Sequence, residues 1–176
     1  NANPVSSWSR WMVAMLAVWL LAACEPAAAP APEVAKGVGH FFDIKVGDRT
    51  VRMQFAVSDT EMQRGLMERR DLGPDDGMIF VYRSPAPMSF WMRNTPTPLD
   101  IGYFTADGVL REIYPLHPHD ETPVPSRRQD LQYALEMSQG WYRTHGIRPG
   151  AQLDLAAVAA ALKARGFSPQ EFGFRE

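Results

Sequence analysis

Residues 42–57 read FDIKVGDRTVRMQFAV, and this stretch decides the fold class. Apolar side chains recur at every second position in two runs, 42–46 and 51–57, with mostly charged or polar residues between them. Alternation with a period of two is typical of a strand with one buried face. The Gly47-Asp48 pair between the runs is typical of a tight turn. The stretch therefore predicts a β-hairpin at the start of a folded domain.

The residues that follow the hairpin continue a pattern of short elements separated by turns. Ser58-Asp59-Thr60-Glu61 is a capping box, which predicts a short helix that ends near Gly65. The proline-containing stretch 115–128 predicts an exposed loop. Leu155, Val158 and Leu162 share one helical face, which predicts a C-terminal helix. Further short apolar runs predict strands at 78–82, 88–92, 99–103, 109–114, 133–137 and 151–155.

Together these patterns predict one folded domain over residues 40–155, with a helical extension over 156–176. About eight short strands with minor helices predict a mostly β fold. We expect a single compact antiparallel β-sandwich or jelly-roll-like barrel with short helices and a C-terminal helix.

The first 39 residues have the pattern of an exported protein. Arg10 precedes a run of 13 uncharged, mostly apolar residues, 11–23, which is too short for a bilayer span of roughly 20 residues. This predicts a signal peptide over 1–23. The one cysteine of the chain, Cys24, follows Leu21-Ala22-Ala23 directly. The segment resembles the lipobox of bacterial lipoproteins, which implies cleavage before Cys24 and lipidation of its thiol.

The alternative for Cys24 is a stray cysteine near an ordinary cleavage site. Residues 24–39, rich in proline and alanine, predict a linker between the anchor and the domain. The expected location is therefore the cell envelope, with the periplasm-facing domain attached to a membrane through lipid.

Composition excludes several classes of function. The chain has 18 basic and 20 acidic residues and a formal net charge of −2, which gives no support for nucleic-acid binding. With a single cysteine, we expect no disulfide within the chain. We also find no Ser-His-Asp elbow, glycine-rich phosphate loop or available thiol nucleophile. No cofactor is expected.

Five short motifs lie between Phe41 and Leu155 in a distinctive order and spacing. They are Arg64-Gly65-Leu66-Met67, Asp76-Gly77-Met78-Ile79-Phe80, Phe90-Trp91-Met92-Arg93-Asn94-Thr95, Pro98-Leu99-Asp100-Ile101, and Leu135-Glu136 followed by Gly140. Together they resemble the uncharacterised family called domain of unknown function 192. This resemblance implies a compact β-sandwich or jelly-roll-like fold and implies no reaction.

The densest group of polar and aromatic residues is Trp91, Asn94, Thr95 and Asp100. In a binding site, Trp91 would stack on a ligand while the amide and carboxylate bind its hydroxyl or amide groups. In a structural role, the same residues would form a turn whose side chains bond their own backbone. Both interpretations stay open.

Three more residues extend this candidate ligand site. Arg64 and Arg69 would grip an anionic group, or pair structurally with Asp100 or Glu136. Glu136 alternates with its strand neighbours, so we expect its side chain on a solvated face. If it met Asp100, the two carboxylates would suit acid–base chemistry of the kind used on glycans.

A metal site is not expected. His117 and His119 form His-Pro-His beside acidic residues, which is a weak zinc pattern in a loop, and we expect solvated side chains there.

The leading hypothesis is a non-catalytic, envelope-anchored binding or accessory module for a small polar ligand, either a saccharide or a peptide fragment. One alternative is a cell-wall glycan hydrolase that uses the Asp100 and Glu136 carboxylates. The other is a purely structural or protein-interaction module. The sequence identifies no protein partner.

Overall fold

The structure is a computed structural model that describes residues 34–175. The predicted signal peptide, Cys24 and the linker up to residue 33 lie outside the described residues. Within the described range, no helix combines the length and the apolar character needed to cross a membrane.

Residues 34–175 contain eight strands, three short α-helices and one 3₁₀ helix. The strands are β1 (Phe42–Val46), β2 (Arg49–Ala56), β3 (Asp76–Ala86), β4 (Ser89–Phe90), β5 (Leu99–Thr105), β6 (Leu110–Leu116), β7 (Val124–Pro125) and β8 (Leu131–Ser138). The helices are α1 (Asp59–Arg64), α2 (Trp141–Thr144), α3 (Leu155–Ala164) and the 3₁₀ helix Pro169–Phe172.

Six strands form one sheet in the order β1-β2-β3-β8-β5-β6, and β4 and β7 form a second, two-stranded sheet. The predicted mostly β class is confirmed. The antiparallel arrangement is not general, because β2 and β3 run parallel while their neighbours pair antiparallel. The described strands close no barrel, and a sandwich or jelly roll is not confirmed.

The parallel pair explains why the sheet is mixed. Parallel neighbours need a long crossover, which usually contains a helix. Residues 57–75 supply this crossover, and α1 lies within it. The hairpin of β1 and β2 and the α1 capping box are confirmed, with Ser58 accepting from the Glu61 N–H and Glu61 accepting from the Ser58 N–H.

Three local predictions differ from the structure. β3 continues through Pro85 to Ala86, with a register shift after Val81. The strand expected at 88–92 shortens to the two residues of β4, and 151–155 contributes only isolated bridges. Helix α2 lacks a sequence signal that we recognised, since it is only four residues long.

Apolar clusters cover both faces of the six-stranded sheet. The first face packs against Trp141, Tyr142 and helix α3. The second face packs against Leu66, Met88 and Met92, which come from the loop after α1 and from the segments on either side of β4. These loops over the second face carry the candidate site.

Candidate functional site

Trp91 lies at the surface in the loop that follows β4. Its side chain is 46% exposed, although the adjacent Met92 is buried in the second apolar cluster. The indole lines a cavity of about 470 Å³ together with Gln63, Met67, Arg93 and Asn94. The structure therefore brings Trp91 and Asn94 together, as the binding hypothesis expects.

Backbone hydrogen bonds hold this loop in place. The Asn94 carbonyl accepts from the Glu68 N–H at 2.8 Å, and the Asp120 carbonyl accepts from the Met92 N–H at 2.8 Å. Asn94 has a φ of 52°, in the left-handed region where asparagine is favoured among non-glycine residues. The loop is thus fixed at both sides, and the exposed Trp91 side chain stands on an ordered backbone.

Sequence reasoning missed Arg93, Gln63 and Met67 as lining residues. The Arg93 guanidinium lies 5.7 Å from the centroid of the Trp91 ring, which is within the range of a cation–π contact. Gln63 reaches the cavity from α1 and Met67 from the turn after it. Arg93 lies inside the Trp91-to-Thr95 motif, so its position beside the candidate residues was the available signal.

A second cavity of about 250 Å³ lies on the other side of Met67, which lines both. It contains the two arginines that the sequence marked as candidates. Its polar lining includes Gln54, Glu61, Arg64 and Arg69.

The two arginines have local partners. Arg64 pairs with Glu68 at 3.7 Å on the surface. Arg69 donates to Asp71 at 2.5 Å and to the Gln54 side-chain oxygen at 2.8 Å. The expected structural pairing of these arginines with Asp100 or Glu136 is wrong, because nearer acceptors engage them.

Thr95 and Asp100 do not line the Trp91 cavity. Thr95 is buried, and its hydroxyl donates to the Arg93 carbonyl at 3.1 Å. The Asp100 carboxylate accepts from the Gly140 N–H at 2.7 Å, just before α2. These contacts match the structural alternative: the hydroxyl braces the loop and the carboxylate fixes the turn into α2.

The expectation of a solvated Glu136 is wrong, because its side chain is only 4% exposed. It stands on β8 between Met78 of β3 and Ile101 of β5, on the second face of the sheet. The side chain does face away from those of Leu135 and Met137, as the alternation predicts. However, loops cover this second face of the sheet and remove it from solvent. Burial raises the pKa of Glu136 to about 8.

No hydrogen bond or ion pair reaches the Glu136 side chain from the residues that the structure describes. Its electrostatic influence is visible in two nearby tyrosines. Burial, with the Glu136 charge as the next cause, raises the pKa values of Tyr82 and Tyr103.

Asp100 and Glu136 lie on opposite faces of the sheet. Glu136 pairs in register with Ile101, whereas Asp100 pairs with Met137, and successive side chains of a strand alternate between faces. Glycoside hydrolysis requires both carboxylates in one cleft. The arrangement that the hydrolase hypothesis needs is therefore not present.

His117 and His119 are both exposed, and His119 has a φ of 60°. Between residues 34 and 175, no group of three or more His, Cys, Asp or Glu side chains is placed to hold a metal ion.

Comparison with solved structures gives two informative relatives. A protein of unknown function from Novosphingobium aromaticivorans DSM 12444 is 36% identical, with a TM-score of 0.63, over 73% of this chain and 94% of that one. A protein from Sinorhizobium meliloti 1021, described as a proposed transcription regulator, is 30% identical with a TM-score of 0.63. That match covers 69% of this chain and 96% of the other.

Comparison with the curated proteins gives no match. A family model, described as DUF192, Uncharacterized ACR, COG1430, matches residues 33–155. This range contains the complete six-stranded sheet and the Trp91 loop. The chain therefore belongs to the DUF192 family.

Proposed function

We propose that this protein is a non-catalytic binding or accessory module that takes a small polar ligand, a saccharide or a peptide fragment, in the Trp91 cavity. One observation carries the proposal: an indole that is 46% exposed lines a cavity of about 470 Å³ with an amide and a guanidinium beside it. Ligand sites usually have this size and combine apolar surface with a few polar groups.

The exposure of Trp91 is unusual within this domain. Among residues 34–175, the other exposed large apolar residues are Val34 and Val38, near the start of the described chain. The adjacent Met92 is buried. A tryptophan left in solvent on an ordered loop is a typical anchor for a partner molecule.

The chemistry of the cavity favours binding over reaction. Its lining consists of an indole, a thioether, two amides and a guanidinium. These groups stack and form hydrogen bonds, whereas acid–base or nucleophilic catalysis uses groups that exchange protons near neutral pH or attack a substrate.

The proposed location is the cell envelope, with the domain held at a membrane by a lipid on Cys24. The support is the apolar run 11–23 that ends directly before this single cysteine. A formal net charge of −2 gives no electrostatic support for binding nucleic acid.

Calorimetric titration of the full chain in detergent with cell-wall saccharides and peptides tests the proposal. We expect binding that weakens at least about 5-fold in Trp91→Ala, since a central tryptophan commonly contributes more than 1 kcal/mol. Gln129→Ala, an exposed change on another loop, is the control and should bind normally. If no ligand binds at millimolar concentration, the result contradicts the proposal and favours a structural or protein-interaction module.

A further inference from the structure

We infer that the ligand of the Trp91 cavity is an acidic saccharide, whose carboxylate pairs with Arg93 while a sugar ring stacks on the indole. This inference rests on the proposed function and deepens it by naming the ligand class. Four features of the cavity support it: its charge, the freedom of Arg93, the positions of the nearby acids, and the elements that form the walls.

The charge of the cavity lining is positive. Arg93 is its one charged residue, and the other four lining residues are neutral. In contrast, the second cavity combines Arg64 and Arg69 with the carboxylate of Glu61. An anionic group in the Trp91 cavity would therefore meet a cation without a lining carboxylate to oppose it.

The Arg93 guanidinium is free to bind an anion. Within the described residues, the guanidinium contacts the Trp91 ring at 5.7 Å from its centroid and takes part in none of the ion pairs. A guanidinium has five N–H donors in a planar fork that matches a carboxylate. Stacking beside the indole limits its orientations, which lowers the entropy lost on pairing.

Two acidic residues contact the Trp91 loop through their backbones, and neither carboxylate forms an ion pair with Arg93. The Glu68 N–H donates to the Asn94 carbonyl, while the Glu68 carboxylate lies 3.7 Å from Arg64. The Asp120 carbonyl accepts a hydrogen bond from the same loop, while its carboxylate accepts from a backbone N–H two residues further along the chain. The ion pairs of the described residues therefore leave the Arg93 guanidinium available to an anionic ligand.

The walls of the cavity favour a saccharide over a peptide. An extended peptide commonly binds by adding a strand to an exposed sheet edge. The lining residues belong to the loop after β4, to α1 and to the turn after it, so no strand of the six-stranded sheet borders the cavity. The indole offers an apolar face to the C–H groups of a sugar ring, and the Asn94 and Gln63 amides offer donors and acceptors to its hydroxyls.

The test compares glucuronate with glucose, two probes that differ in charge at one carbon, by calorimetric titration of the full chain in detergent. We expect glucuronate to bind up to about 5-fold more tightly than glucose, because an exposed ion pair contributes up to about 1 kcal/mol. This preference should shrink with added salt, because the pair is exposed to solvent.

Variants at position 93 locate the preference. Arg93→Gln should remove the advantage of glucuronate over glucose within the same variant, while Arg93→Lys should keep part of it. Arg111→Gln, an exposed arginine on β6, is the matched control and should keep the full preference.

The outcomes separate this inference from the proposed function. Equal binding of glucose and glucuronate would overturn the acidic class and leave a saccharide-binding module. Tighter binding of a glutamate-containing tripeptide than of glucuronate would overturn the choice of saccharide. Failure of every saccharide and peptide to bind would overturn the proposed function itself.

Discussion

Replacing Glu136 by glutamine should make the protein more stable in alkaline solution. Burial raises the pKa of this carboxyl from its usual 4.5 to about 8 in the folded protein. The folded state therefore holds a proton that the unfolded chain has already released. Since each pKa unit corresponds to about 1.4 kcal/mol, the ionised side chain lowers the free energy of unfolding by about 5 kcal/mol above pH 8.

The sign of the effect fixes its pH range. Below about pH 4.5 both states are protonated, so the carboxyl causes no loss of stability. The loss then grows through neutral pH, reaches about 3 kcal/mol at pH 7, and is complete above about pH 8. Glutamine has nearly the same shape and no charge, so Glu136→Gln should remove this pH dependence.

Urea unfolding of both proteins at pH 5, 7 and 9 measures the effect. We expect similar stabilities at pH 5 and an advantage of several kcal/mol for Glu136→Gln at pH 9. Other titrating groups are the same in both proteins, so the difference isolates this residue. Equal pH dependence in the two proteins, or a more stable wild type at pH 9, would refute the burial argument.

Glu112 provides a matched control of opposite sign. Burial alone would raise its pKa, but hydrogen bonds from the Arg127 N–H, the Tyr114 hydroxyl and the Arg128 N–H outweigh burial and lower it. Glu112→Gln should therefore destabilise the protein at neutral pH, and the effect should fade as the pH falls below the usual glutamate pKa of 4.5 and through the lowered pKa of the folded state.

Three further changes test other parts of the fold. Gly77→Ala should lower the free energy of unfolding by about 2–3 kcal/mol in thermal denaturation, because the new methyl group would collide with the Met137 sulfur and lie 2.6 Å from the Glu136 carbonyl oxygen; an unchanged midpoint would contradict the close packing of β3 and β8. Glu61→Gln should destabilise by about 3 kcal/mol in urea at pH 7, because it leaves the buried Arg165 cation without its partner. This loss should shrink in acid: burial would raise the pKa of Glu61, but its hydrogen bonds and Arg165 hold the pKa below its usual value, so the stabilisation is lost as the pH falls through that lowered pKa. A loss that stays constant as the pH falls would count against the pairing. Trp141→Phe should lower the free energy of unfolding by about 1–2 kcal/mol, because the indole N–H donates to the Asp75 carboxylate at 2.9 Å. Unchanged stability would show that this hydrogen bond contributes little.

The local elements were predictable because their signals lie within a few residues. The alternation around Gly47-Asp48 predicted the hairpin of β1 and β2, and the Ser58-to-Glu61 capping box predicted the start of α1. The shared face of Leu155, Val158 and Leu162 predicted α3. Each signal depends on periodicity or capping, which act between near neighbours along the chain.

The functional site was only half predictable. The sequence singled out Trp91 and Asn94 and placed them beside Arg93, but it gave no sign that Gln63 and Met67 reach the same cavity. Those two residues arrive from α1 and the turn after it, and the long-range packing of this segment against the Trp91 loop decides their position.

The sequence by itself determined a mostly β domain and the polar-aromatic motif that contains Trp91, although it assigned Trp91 to a strand. The tertiary structure alone decided that β2 and β3 run parallel, that Glu136 is buried, and that Asp100 faces the opposite side of the sheet. The physical reason is that alternation along a strand predicts which neighbouring side chains lie on opposite faces. Only the packing of loops that are distant in sequence determines which of those faces is removed from water.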